Sequence, residues 1–192
     1  MTALQLVGRI DATGRRTGGI IGLTAKQMDY VRRARAQLEN LDAGYFSRER
    51  RDKRLDGLVK RAIASGKPLP KADIDRITGR YSDRLLQLRG ETIARTEGIN
   101  AYRAANVEAY RQMIESGAVR EDQISREWDS TLDSRTRLQH AAMEGVQARG
   151  LSQPFVLPDG TMMMHPGDAS LGAGADQIVS CRCFMKVKLK LL

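Results

Sequence analysis

The chain has few of the residues that staple or functionalise small folds. Of its 192 residues, two are cysteine, two histidine, one tryptophan and three phenylalanine. Two cysteines cannot build a disulfide framework, and Cys181 and Cys183, one residue apart, would bridge each other only with strain. A reducing compartment is therefore expected. So few aromatics disfavour a single-strand nucleic-acid binder that stacks bases on aromatic platforms. No run of eighteen apolar residues occurs, and the opening MTALQLVGRIDATGRR lacks the apolar core of a signal peptide. The expectation is a soluble, intracellularly made protein with no membrane partner. The segment GRIDATGRRTGGIIG is rich in glycine, yet no Lys-Ser or Lys-Thr follows the glycines, which excludes a P-loop.

Arginine is what the chain has in abundance. The formal net charge is +9, and its location is informative: residues 1–110 hold 22 Lys+Arg against 13 Asp+Glu, whereas residues 111–192 hold ten of each. All the excess lies in the first part. Such asymmetry suits a partner with negative charge, either nucleic acid or an acidic protein surface, and a solvated helical face rich in arginine fits equally well. If DNA is that partner, the exposed set is expected to be Arg15, Arg16, Arg32, Arg33, Arg50, Arg51, Lys53 and Arg54.

Periodicity divides the chain into a basic Gly/Arg-rich arm (1–22), a helical domain (23–117) and a smaller C-terminal module (118–192). The arm reads as irregular. Thr24 and Gln27 form a capping box, after which Met28, Val31 and Leu38 share one helical face. FSRERRDKRLDGLVKRAIASG predicts a second helix with Leu55, Val59, Ala62 and Ile63 on its stripe, stopped near Gly66. Pro70 starts a third, marked by Ile74, Ile77, Tyr81, Leu85 and Leu88, that runs to Gly117; a kink is expected at Gly90 or Gly98. Trp128 falls in a polar connection, and Ser134 is placed to cap a short helix that Gly145 ends. PDG between Phe155–Leu157 and Thr161–Met164 predicts a β-hairpin. QIVSCRCFMKVKLKLL alternates as a final strand, with Val179, Cys181, Cys183, Met185, Val187 and Leu189 on one face. The fold class is thus α+β, mainly helical with long helices in the N-terminal part and a hairpin and strand at the end.

The chemistry-bearing residues admit several readings. His140, His165, Asp168, Cys181 and Cys183 could supply a tetrahedral zinc set if the last strand lies beside the short helix. A C-x-C pair carries less information than two C-x-x-C pairs, and unligated cysteine packs as a small apolar residue, so burial without a cofactor is the default. A nucleophilic Cys181 or Cys183 with His140 as base is the enzymatic alternative, but reactive thiols favour turns and helix N-termini over the middle of a strand. Glu91, Glu97 and Glu108 accompany Arg89, Arg95 and Arg103 and read as ion-paired helix surface. Arg95, Thr96, Glu97 and Asn100 are expected to clamp their helix onto the C-terminal module.

The order of these pieces is more specific than any one of them. IARTEGINAYRAAN, EWDSTLDSRTRLQHAAMEG, F…LPDG…HPGD and GADQIVSCRC in succession resemble the phage Mu F-like head morphogenesis family over about residues 90–186. The matching positions are Arg95, Thr96, Glu97, Trp128, Asp133, Arg137, His140, Gly145, Gly160, Pro166, Gly167, Asp168, Cys181, Arg182 and Cys183; Ser180 stands where the family usually has Asn. The resemblance implies a minor head protein of a tailed phage or prophage, present in the virion and in the host cytoplasm during assembly. It implies association with the portal protein and with major capsid or scaffold protein, several copies per particle, contact with double-stranded DNA and a role in packaging or ejection. No enzymatic activity is implied. A free DNA-binding protein and a metal-dependent, thiol-dependent or toxin-associated module are the competing expectations.

Overall fold

The computed structural model describes residues 1–12 and 16–190, so Arg15 of the expected DNA-facing set lies outside the described residues. The architecture is α+β. The chain forms two compact units, Met1–Ala94 and Arg95–Leu192, with the boundary inside the longest helix. Residues 95–117, grouped with the helical domain by their periodicity, thus cluster with the C-terminal module. No helix among the described residues is long and apolar enough to cross a membrane.

In the first unit a short helix α1 (Ala3–Val7) and a two-residue hairpin, β1 (Arg9–Ile10) with β2 (Arg16–Thr17), form where an irregular arm was expected. Thr2 and Gln5 close a capping box on α1, satisfying donors that a five-residue helix would otherwise leave open. Helix α2 (Ala25–Glu39) begins at the expected Thr24–Gln27 box and turns Ala34 and Leu38 inward; Met28, expected on the same face, is exposed. Helix α3 (Asp56–Ser65) ends at Gly66, whose φ of 66° supplies the left-handed cap. It is shorter than its sequence pattern suggested. The preceding residues form two 3-10 turns, Ala43–Ser47 and Lys53–Leu55, each started by an aspartate side chain, Asp42 or Asp52, that accepts a backbone N–H. Aspartate competes with the helical ladder for local backbone donors, which is why the helix begins later.

Helix α4 (Lys71–Glu115) continues for 45 residues with no interruption at Gly90 or Gly98. Gly90 serves another purpose: a Cβ there would lie 2.3 Å from Val7 Cγ1, so the missing side chain lets α1 rest on α4. The core of this unit joins Ala34 and Leu38 from α2, Val59 and Ala62 from α3, and Ile74, Ile77, Tyr81 and Leu85 from α4, with Tyr45 and Leu69 between them.

The second unit is organised by strand β3 (Ile124–Asp129), flanked antiparallel by β4 (Gln147–Arg149) and β7 (Phe184–Leu189). Trp128 lies in β3 and is fully buried, a correction to its expected place in a polar connection. The strand alternates: Ile124, Arg126 and Trp128 face the core, while Glu127 and Asp129 face outward and pair with Lys188 at 2.5 Å and Lys186 at 2.8 Å across the ladder. The short helix α5 spans only Leu138–Ala141, and its N-cap is Arg137, not Ser134. The expected hairpin forms between β5 (Phe155–Val156) and β6 (Met162–Met163), with Gly160 at φ 83° in its turn.

The final strand starts later than its alternation suggests. Ala175–Ile178 form a turn of helix, α6, and Ser180 adopts φ 57°, so residues 178–183 are not strand and the ladder begins at Phe184. One consequence is that Val179 is exposed and Ile178 packs on the core, opposite to the expected facing.

Candidate metal centre

Cys181 and Cys183 are 3% and 2% exposed and belong to a core with Trp128, Met143, Ala148, Phe155, Leu157 and Met163. Their burial agrees with the sequence expectation, although they sit in the loop before β7. The turn at Ser180 and the extended backbone after it aim both sulfurs the same way, since residues two apart in extended chain share a face. His140, buried on α5, meets them: its Nδ1 lies 3.5 Å from each sulfur. The three donor atoms lie within 4.8 Å of one another. The other two expected donors do not join them. Asp168 accepts from the Met164 backbone N–H and from Ser170 within its own turn, and His165 Nδ1 lies beside the Pro166 carbonyl.

The far side of the imidazole is fixed as well. His140 Nε2 lies 3.1 Å from Gln177 Oε1, and Gln177 Nε2 donates to Asp159 Oδ2 at 2.8 Å. An ionised carboxylate only accepts, so the Gln177 amide must turn its nitrogen toward Asp159 and its oxygen toward the ring. The ring therefore donates from Nε2, and Nδ1 faces the two sulfurs. Trp128 stands edge-on to the imidazole with ring centroids 5.4 Å apart, and Ser130 Oγ donates to the His140 carbonyl at 2.5 Å.

Arg103, from the part of α4 in this unit, closes the other side. Its Nη2 donates to the carbonyl of Cys181 at 3.0 Å and to that of Cys183, and lies 3.7 Å from Cys181 Sγ. Its Nη1 donates to Asn100 Oδ1 at 2.8 Å. Gly167 explains its place in the PGD loop here: with φ 79°, its Cβ would lie 2.4 Å from Arg103 Nη1. A hydrogen bond from Cys183, followed by the charge of Arg103, draws the Cys181 thiol down to about 6, while Cys183, giving that hydrogen bond in a buried place, is pushed up to about 12. The pair thus releases one proton readily and holds the second.

The clamp expected from Arg95, Thr96, Glu97 and Asn100 is built from a different subset. Thr96 accepts from the Ser180 backbone N–H at 3.1 Å and Asn100 holds Arg103, whereas Arg95 and Glu97 are exposed. Arg103 itself, expected on an ion-paired surface, is buried. Around the thiol loop, Arg182 forks onto Asp133 at 2.7 and 2.5 Å, Thr131 Oγ1 donates to the Arg182 carbonyl, and Arg137 donates to the Val179 carbonyl. Sequence reasoning missed Arg126, whose fully buried guanidinium donates to the carbonyls of Gly150, Met164 and Gln153 and stacks over Phe155. Its signal was the alternation Ile124–Arg126–Trp128.

The cationic residues of the first unit separate into two groups. Arg16 is tied to Asp83 at 2.6 Å and Arg51 to Asp56 at 3.0 Å, each guanidinium turned inward. Arg32 and Arg33 share Asp29, Arg54 holds Asp52, and all three remain exposed, as do Arg50 and Lys53. No family model, curated protein or solved structure matches the chain.

Proposed function

We propose that the protein is a minor head protein of a tailed phage or prophage, associated with the portal and the inside of the head, and acting in head morphogenesis and genome packaging or ejection. The observation that carries this reading is a convergence. Thr96, Trp128, Arg137, His140, Cys181, Arg182 and Cys183, which carry the family resemblance from separate stretches of sequence, are linked through one laced core. Thr96, Trp128, His140, Cys181 and Cys183 are buried, and Arg137 and Arg182 lace the margin around them, which suits a structural module. Thiols this deeply enclosed favour packing over a catalytic nucleophile.

The charge distribution supports the same role. Met1–Ala94 carry twenty Lys+Arg against eleven Asp+Glu, and Arg95–Leu192 carry twelve of each. A basic helical part joined to a neutral module suits a protein placed between packaged DNA and a protein shell. Arg32, Arg33, Arg50, Lys53 and Arg54 are the exposed cations offered to phosphates, and such contacts weaken steeply as salt rises. Mass spectrometry of purified procapsids and filled heads tests the assignment: the protein should be present in both and should co-purify with portal protein. Its absence from every particle would overturn it, and tight, salt-sensitive duplex binding without any particle association would favour a free DNA-binding protein instead.

A further inference from the structure

We propose that His140 Nδ1, Cys181 Sγ and Cys183 Sγ are three corners of a tetrahedral zinc site that pins the thiol loop to α5. A zinc ion held at about 2.3 Å from sulfur and about 2.0 Å from nitrogen sets sulfur–nitrogen edges of about 3.5 Å in a regular tetrahedron. The two observed edges are each 3.5 Å. Hydrogen bonding accounts for this arrangement poorly. Nδ1 carries either one lone pair or one proton, and either serves a single directed hydrogen bond, not two sulfurs at equal distance. A shared ion on the common side of the three atoms removes that conflict.

The surroundings have the features a metal-ligating histidine requires. The outward ring N–H donates to Gln177 Oε1, and Gln177 is held by the Asp159 carboxylate, so the ligating nitrogen is both selected and oriented. Two thiolates balance a divalent zinc ion, and Arg103 fixes the carbonyls of both cysteines while adding positive charge beside Cys181. Thiolate and imidazole donors select zinc over magnesium or calcium, which take oxygen. Three protein ligands leave the fourth corner to water. The site stands on its own geometry and does not depend on the proposed role in phage heads.

Full-length protein, without a histidine tag and purified without chelator, is to be assayed for metal and titrated with cobalt as a spectroscopic stand-in. The expected result is about one zinc per chain and, after exchange, the intense visible absorption and thiolate-to-cobalt charge transfer of a tetrahedral site. Cys181→Ser combined with Cys183→Ser should abolish both signals. Gln177→Ala leaves every ligand in place and should weaken zinc affinity about 10- to 100-fold, which keeps the test decisive if the cysteine variant fails to fold. Metal-free protein with no cobalt spectrum would overturn the proposal, as would zinc retained undiminished by a folded double cysteine variant.

Discussion

The two units solve the problem of making a core in different ways. Met1–Ala94 buries aliphatic and tyrosine side chains from three helices, and its ion pairs lie mostly at the margin. Arg95–Leu192 buries two arginines, two histidines, a glutamine and two thiols among its apolar residues. An aliphatic core tolerates exchange as long as volume is kept, whereas a polar core depends on every partner being present, because a buried group left unpaired costs its full desolvation. The helical unit should therefore fail gradually under mutation and the β-containing unit abruptly.

The largest effect is expected from Arg126→Ala, which strands the carbonyls of Gly150, Gln153 and Met164 in the core. The loss should be about 3–5 kcal/mol, because each buried carbonyl left without its donor costs about 1–3 kcal/mol. Hydrogen exchange should show lost protection within Arg95–Leu192. Leu38→Ala, at a fully buried position in the helical core, should cost about 3 kcal/mol, read by denaturant titration, with exchange increasing within Met1–Ala94. If Leu38→Ala proved costlier than Arg126→Ala, the contrast between the two cores would be lost.

A finer contrast lies along α4. A Cβ placed on Gly98 would meet nothing within 4 Å, so Gly98→Ala should gain about 1 kcal/mol from helix propensity alone. Gly90→Ala should instead lose about 1 kcal/mol net, because the new methyl meets the buried and branched Val7. Thermal unfolding of the pair should show shifts of opposite sign. Ser180→Asn should also stabilise, by about 1 kcal/mol or less, because asparagine accepts the left-handed backbone that serine takes up there at φ 57°.

A separate effect is a pH dependence that originates in the helical unit. Hydrogen bonds from the Arg54 side chain, helped by Arg84, hold Asp52 down at about 2 against an ordinary 3.8. A depressed carboxyl contributes stability above its unfolded value, so this contribution should be complete above about pH 4 and vanish as pH falls toward 2. Asp52→Asn should flatten the acid limb of the stability curve, and an unchanged acid limb would assign the dependence to other carboxylates.

The sequence was a good guide wherever neighbours along the chain set the outcome. The Thr24–Gln27 box, the stop at Gly66 and the hairpin around Gly160 all form as their local chemistry dictates. It misled where a distant partner overrode the local pattern. Arg126 disguised β3, because an arginine in the inward row looks like an exposed position until three carbonyls from other segments are seen around it. Gly90 looked like a kink and is a resting place for Val7. The thiol loop looked like strand because its alternation is sound, yet Ser180 turns the chain where Thr96 receives its N–H.

What the sequence determined by itself was the α+β character, the start of α2, the stop of α3, both ends of α4, the charge asymmetry and the burial of both cysteines, since each follows from short-range sterics, capping or hydrophobic patterning. Which of five candidate donors meet was decided only by the tertiary structure. His140, Gln177 and Asp159 are brought to Cys181 and Cys183 by strand pairing and loop packing, and those depend on contacts between residues far apart in the chain that no local pattern encodes.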